Sequence, residues 1–167
     1  MDGFTGGFRH PFLGLDHMAA MVAVGLWGAL LGAPALWALP LIFPLIMALG
    51  GVAGLAGVEV PGIERGIAGS AVVLGVVVAL AMRAPLWFAG TMVGVFALFH
   101  GFAHGRELPA GADPAGFFSG FVIATGLLHL TGVGFGLISR WRVGDIAVRT
   151  VGGAIALIGA AFLLTAP

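Results

Sequence analysis

The stretch from Pro34 to Gly57, PALWALPLIFPLIMALGGVAGLAG, contains no charged residue and no histidine. An apolar segment of roughly 20 residues crosses the ~30 Å hydrocarbon core of a bilayer as an α-helix. The stretch is therefore predicted to span a membrane. Pro40 and Pro44 lie inside it, so we expect this helix to be kinked or locally broken, with a neighbouring helix satisfying the carbonyls that lose their donors.

The rest of the chain has the same apolar character. Its 167 residues are 60% hydrophobic and only 8% charged, and the mean hydropathy is +1.13, which excludes a soluble domain. The predicted fold class is all-α, a polytopic membrane helix bundle of about six transmembrane helices in a single domain, residues 1–167. Breaks at proline, glycine and charged residues place the spans at 11–31, 34–57, 62–82, 85–105, 114–138 and 145–166.

Thirty glycines suggest that these helices pack closely. Small residues four apart on one helix let two backbones approach each other in a membrane. We expect such contacts at four pairs: Gly50/Gly54, Gly90/Gly94, Gly116/Gly120 and Gly132/Gly136.

The arginines predict the orientation. One side of the membrane has Arg83 and the three arginines of residues 139–149, against the single acid Asp145. The other side has three arginines and five acids, and arginine is enriched on the cytoplasmic side. This predicts a multi-pass protein of a bacterial inner membrane with both termini in the periplasm. An outside N-terminus would fit a precursor whose signal peptide has been removed, since residues 1–7 do not form one.

Two functional classes are excluded by composition. The chain has no cysteine, so disulfides and thiolate metal sites are excluded, and any metal must be held by nitrogen and oxygen. Seven arginines, no lysine and seven acids give zero net charge without a basic run, so no nucleic-acid partner is expected. The lipid bilayer is the expected environment.

The first cluster of chemistry-bearing residues is HPFLGLDH, residues 10–17. Asp16 and His17 enter the first span side by side, while His10 precedes it and could fold back over its end. At ~100° per residue the two neighbours cannot point the same way, but both can line the inner half of the helix. Ionisable residues in membrane spans usually mark a pathway or a site.

The second cluster is FHGFAHGRE, residues 99–107, at the end of the fourth span. His100, His104 and Glu107 are spaced four and three apart, which places them along one helical stripe. Two imidazoles and a carboxylate on one face suit Ni²⁺, Co²⁺ or Zn²⁺. Both clusters are predicted at the same side of the membrane, so they can meet.

Two further residues have open alternatives. Glu64, early in the third span, is either an additional carboxylate ligand or the ion-pair partner of Arg65. His129 lies fifteen residues into the fifth span, roughly 22 Å along the helix. It is either a second stop for an ion on its way inward or a structural histidine bonded to Thr125.

The strings His10-x5-Asp16-His17 and FHGFAHGRE, with GFVIATGLLH in the fifth span, resemble the HupE/UreJ family of nickel/cobalt permeases. The resemblance implies a small secondary permease, not an enzyme, that takes up Ni²⁺ or Co²⁺ as its substrate and has no prosthetic group. Family members usually carry a signal peptide and a His-bearing periplasmic tail, and residues 1–9 show neither. The metal-handling residues that it implies are His10, Asp16, His17, Glu64, His100, His104 and Glu107.

Two other functions remain open from the residues alone. An intramembrane Zn²⁺-dependent hydrolase would need three protein ligands, an open position and a carboxylate base, although the HExxH pattern is absent. A b-type haem electron carrier would need paired axial histidines, for which His100 or His104 could serve.

Overall fold

The computed structural model describes residues 3–109 and 111–166, which form α-helices and two 3-10 helices. A short helix α1, Gly3–Arg9, runs into a 3-10 helix, His10–Phe12. Six longer helices follow, the last two being separated by a 3-10 helix at Leu137–Arg140. Their bounds are α2 Leu15–Leu31, α3 Ala35–Leu55, α4 Ile63–Ala79, α5 Leu86–Arg106, α6 Pro114–Gly136 and α7 Arg142–Thr165.

The six longer helices correspond to the six predicted spans, and the all-α membrane bundle is confirmed. Helices α3, α5, α6 with its 3-10 extension, and α7 are long and apolar enough to cross a bilayer. Helix α2 and the segment before it form a fifth, bent candidate. Helix α4 has 17 residues, or about 25 Å, and falls just short of a full hydrocarbon thickness.

The start of the first span was predicted wrongly. Residues 3–12 are helical but lie at 80° to α2, so the helix does not run straight on from Pro11. The break falls at Gly14, whose extended backbone precedes α2 without a side-chain cap. Helix α1 has no amphipathic sequence pattern, and its glycines instead place it against the backbone of α6.

Helix α3 runs as one helix from Ala35 to Leu55 through both internal prolines. The local break, one of the two forms that the sequence predicted, is therefore not seen, and the kink stays a prediction. Pro44 still has no N–H to give to the carbonyl of Pro40, four residues earlier. That carbonyl faces α6, where the ring of His129 lies against it.

Helix α2 lies at the centre of the bundle, in contact with α3, α4, α6 and α7. Helix α3 pairs with α5, α4 pairs with α7, and α1 lies across α6. Each predicted span runs in the opposite direction to the span before it. The starts of α2, α4 and α6 therefore lie at the same end of the bundle as the ends of α3, α5 and α7. We call this the acidic end, after its residues Asp16, Glu59, Glu64, Glu107 and Asp113.

Glycine sets the closest crossings, as three of the four predicted pairs show. A Cβ on Gly50 would come within 2.7 Å of the Leu98 carbonyl of α5. Gly120 meets the backbone of α1, and Gly132 meets that of α2. The fourth pair was predicted wrongly, since a Cβ on Gly94 would meet only isoleucine side chains of α3, at 3.9 Å.

These crossings predict that replacement by alanine changes the stability of the protein differently at two glycines of α5. In Gly101→Ala, the new methyl would overlap the Met47 carbonyl and lie 2.8 Å from the Cα of Gly50, so α3 must move away. We expect a loss of about 1–3 kcal/mol of stability, the usual cost of overpacking. Thermal unfolding of the detergent-solubilised protein would measure it. Gly94→Ala is the matched control and should be as stable as the wild type, and equal stability of both variants would contradict the crossing.

Candidate metal centre

Four of the five histidines form a continuous row of rings at the acidic end. We call this row the file, and its members in order are His10, His104, His17 and His100. The ring centroid of His10 lies 4.9 Å from that of His104, and His104 lies 4.8 Å from His17. The ring of His17 is in turn 5.1 Å from that of His100. The file joins the segment before α2, α2 itself and α5. The two motifs, which are more than 80 residues apart in sequence, therefore meet as expected.

At the outer end of this file, His10 and His104 lie together with the carboxylate of Glu107. We call these three residues the surface group. Nε2 of His10 lies 3.0 Å and Nδ1 of His104 lies 3.3 Å from the same carboxylate oxygen of Glu107. The three residues offer ligand atoms that all lie within 4.8 Å of one another. The side chains of His10 and Glu107 are 29% and 47% exposed, so this group can be reached from outside the bundle.

Beneath it lies the buried histidine cluster, composed of His17, His100 and His104. Each Nδ1 has an acceptor: a carboxylate oxygen of Asp16 at 3.0 Å, the Phe96 carbonyl at 2.9 Å and Glu107, respectively. Since these oxygens only accept, each neutral ring carries its proton on Nδ1. Among the described residues, the three Nε2 atoms are buried without a hydrogen-bond partner.

This arrangement is the one that metal-binding histidines have in proteins. A ligating imidazole usually donates its second N–H to a carboxylate or a backbone carbonyl, which fixes the ring and leaves the other nitrogen's lone pair for the ion. All three rings of the buried histidine cluster meet that condition. His104 belongs to both groups, so it links the accessible ligands to the buried ones.

The position of His10 depends on helix α1. The backbone of Gly7 touches that of Phe117 on α6, and Gly120 of α6 touches Phe4. Held in this way, the segment turns by 80° before α2 and lays the ring of His10 against His104. His10 thus folds back over the helix end, as the sequence suggested.

Asp16 and His17 lie closer together than expected. One carboxylate oxygen of Asp16 accepts the backbone N–H of His17 at 2.9 Å and also lies 3.0 Å from its Nδ1. Although neighbours on a helix point in different directions, the short Asp16 side chain reaches the ring of His17 across the first turn of α2. Asp16 therefore orients His17 through its ring.

Glu64 lies between the two other carboxylates. It lines a cavity of about 320 Å³ together with Arg106 and Glu107, and a second cavity of about 160 Å³ together with Asp16. Glu64 and Arg65 are both exposed, and no ion pair joins them among the residues that the structure describes. This position favours the carboxylate interpretation over the surface ion pair.

Aromatic side chains enclose the file, and sequence reasoning missed all of them. Phe121 packs against His104 with ring centroids 4.1 Å apart, and Phe117 lies 5.7 Å from His10. Phe43 of α3 contacts His100 on one side and His129 on the other. Among so many apolar residues, nothing in sequence singles these three out, except that Phe43 stands between two prolines.

His129 is separate from the other histidines and is fully buried. The hydrogen bond to Thr125 that would give it a structural role is absent. Within the described part of the chain, neither ring nitrogen of His129 nor the hydroxyl of Thr125 has a hydrogen-bond partner.

Comparison with known proteins identifies the family. The sequence matches the family described as HupE / UreJ protein over residues 1–162. The chain belongs to the HupE/UreJ family. It is 44% identical to Protein HupE of Rhizobium leguminosarum bv. viciae over 163 residues, which cover 98% of this chain and 85% of that protein. No solved structure matches it. HupE/UreJ proteins are membrane proteins associated with nickel and cobalt uptake.

The hydrogen bonds of the surface group lead to a prediction about the pKa of Glu107, which lies just beyond the end of α5. Hydrogen bonds from His10, and then from His104, hold the pKa of Glu107 well below its usual value of 4.5. A carboxylate with a lowered folded-state pKa stabilises the fold above the unfolded pKa, and this contribution is lost as the pH falls through the folded value. In His10→Ala we expect the pKa of Glu107 to rise towards 4.5, so that this carboxylate stabilises the fold less above the unfolded pKa and less stability is lost on acidification.

The infrared carboxylate band that disappears in Glu107→Gln would report this titration directly. The exposed residue Glu59 provides a control, because the band lost in Glu59→Gln should titrate identically with and without His10. An unchanged Glu107 titration in His10→Ala would show that the two side chains are not bonded in the membrane.

Proposed function

We propose that the protein is a secondary permease that takes up Ni²⁺ or Co²⁺ across the bacterial inner membrane. The observation that supports this most strongly is the buried histidine cluster, where three Nε2 lone pairs without partners lie inside an apolar bundle. Leaving such groups unpaired in lipid is costly, and they are found where an ion or a substrate passes. Membership of a family associated with nickel and cobalt uptake agrees with this function.

The route begins at the acidic end, which the arginine distribution predicts to face the periplasm. There the ion meets Glu64 and Glu107 at the larger cavity and binds the surface group. It then passes to Nε2 of His104 and His17 as it loses water. Asp16 lies on the other side of His17, where its negative charge offsets part of the cost of bringing a dication out of water.

The donor set accounts for the class of ion. Imidazole nitrogens with carboxylate oxygens suit Ni²⁺, Co²⁺ and Zn²⁺, whereas Mg²⁺ and Ca²⁺ take oxygen ligands. The chain has no cysteine, so the soft thiolate ligands that favour Cu⁺ are absent from it. Family membership favours nickel and cobalt over zinc.

The membrane potential would favour uptake in this direction. An inside-negative potential stabilises the inward transfer of a dication by about 4.6 kcal/mol per 100 mV, if both charges cross the whole field. This is enough to drive accumulation without a second coupled ion.

The two alternative functions gain no support from the site. Neighbouring histidine rings of the file are 4.8 to 5.1 Å apart, which leaves no space for a porphyrin between two axial ligands. A hydrolase would need a substrate cleft beside the metal. Two cavities near the file are lined by Glu64, together with Glu107 in one and Asp16 in the other, and the sequence lacks the HExxH pattern that is typical of such hydrolases.

The direct test is ⁶³Ni²⁺ or ⁵⁷Co²⁺ uptake by proteoliposomes. We expect His17→Ala and His104→Ala to lower both equilibrium binding and the initial uptake rate at least tenfold, because each removes a buried ligand. Asp16→Asn should lower them by about 10- to 100-fold, the usual cost of losing a partner that orients a ligating histidine.

Asp145→Asn is the matched control. Asp145 lies at the opposite end of the bundle, where its carboxylate is 3.7 Å from Arg149 and its side chain is 38% exposed. It should transport like the wild type. If His17→Ala and His104→Ala bound and moved the ions like the wild type, the proposed site would be wrong.

A further inference from the structure

The file of histidine rings ends at His100, and the fifth histidine, His129, lies beyond it on the other side of the Phe43 ring. His129 is on α6, roughly 22 Å from the start of that helix, and is fully buried. Neither ring nitrogen makes a well-formed hydrogen bond within the described residues, although the Pro40 carbonyl of α3 lies close enough to the ring to act as a weak acceptor. A histidine that only fills space in an apolar core normally bonds at least one nitrogen.

Two oxygen ligands lie near this ring. The hydroxyl of Thr125 is one helical turn away on α6, is also buried, and has no hydrogen-bond partner in the part of the chain that the structure describes. The carbonyl of Pro40 lies against the ring from α3, and it has no helical donor because Pro44 lacks an N–H. An imidazole nitrogen, a hydroxyl and a free carbonyl therefore occupy one region of the bundle interior.

Phe43 separates this region from the buried histidine cluster. Its ring centroid is 5.2 Å from that of His100 and 5.1 Å from that of His129, with an edge-on arrangement to both. Phe43 is itself fully buried. It lies between the two prolines of α3, in a segment that lacks two helical hydrogen bonds and so resists bending less than a regular helix.

We propose that His129, with the Thr125 hydroxyl and the Pro40 carbonyl, is a second, inner binding site for the transported dication, reached from His100 when the ring of Phe43 moves aside. This rests on the proposed transport function. The inner site differs from the first in its charge, since its ligands are all neutral. A site that passes an ion onward must bind it well enough to receive it and weakly enough to release it.

The test separates a ligand from a packing residue at position 129. His129→Leu keeps a similar volume but removes both nitrogens, whereas His129→Gln keeps polar ligand atoms. We expect His129→Leu to lower the initial rate of Co²⁺ uptake at least tenfold, while Co²⁺ affinity at the surface group and buried histidine cluster stays within twofold of the wild type. His129→Gln should recover part of the rate. Uptake by His129→Leu at the wild-type rate, or no difference between the two variants, would overturn the inner site.

Threonine offers a matched pair on the same helix. Thr125→Val removes the unpaired hydroxyl and should slow uptake at least threefold. Thr131→Val removes a hydroxyl that only bonds its own helix at Leu127 and is exposed, so uptake should be unchanged. Equal rates for Thr125→Val and Thr131→Val would remove Thr125 from the site.

Binding measurements keep this proposal distinct from the transport function. A wild type that moves neither Co²⁺ nor Ni²⁺ would contradict the permease. The inner site would then be decided by Co²⁺ stoichiometry in nanodiscs. It should be one ion per chain lower in His129→Leu than in the wild type, and equal stoichiometry would overturn the inner site.

Discussion

The close approach of helix backbones at glycine is the constraint on which the rest of the structure depends. In a bilayer no hydrophobic force brings two apolar helices together, so association depends on packing between surfaces that fit. Gly25 of α2 lies against the His129 carbonyl of α6, and Gly101 of α5 lies against Met47 of α3. Each of these crossings is next to a histidine. Larger residues there would move α2 away from α6 and α3 away from α5, and would shift the histidines that these helices carry.

Burial then determines the chemical state of each ring. With no water in the hydrocarbon core, an imidazole N–H needs an acceptor from the protein itself. Asp16, Glu107 and the Phe96 carbonyl provide one each for the buried histidine cluster. The same three acceptors that make burial tolerable therefore prepare the opposite nitrogens for a metal. Stability and ligand orientation come from one set of hydrogen bonds.

Much of this could be predicted from the sequence, because its strongest signals are local. Apolar length gave the six helices, and the four- and three-residue spacings gave the stripe of His100, His104 and Glu107. The turn at Gly14 could not be predicted, since it depends on α1 packing against α6 through glycines that resemble a loop in sequence. Phe43 was missed for a similar reason. Its role depends on two histidines from other helices, and no local pattern marks such a contact.

On the proposed route, the order of ligands along the bundle would separate capture of an ion at the acidic end from its release at the inner site. Carboxylates are concentrated at the acidic end, where a hydrated dication must be attracted and must exchange its water for protein ligands. Deeper in the bundle the ligands become neutral, and the attraction for a dication weakens in the direction of travel. The one barrier in this series is an apolar ring, that of Phe43, on a helix segment that prolines have already deprived of hydrogen bonds. Moving that ring would break no polar contact, so its cost would be set by the packing that this fully buried side chain gives up.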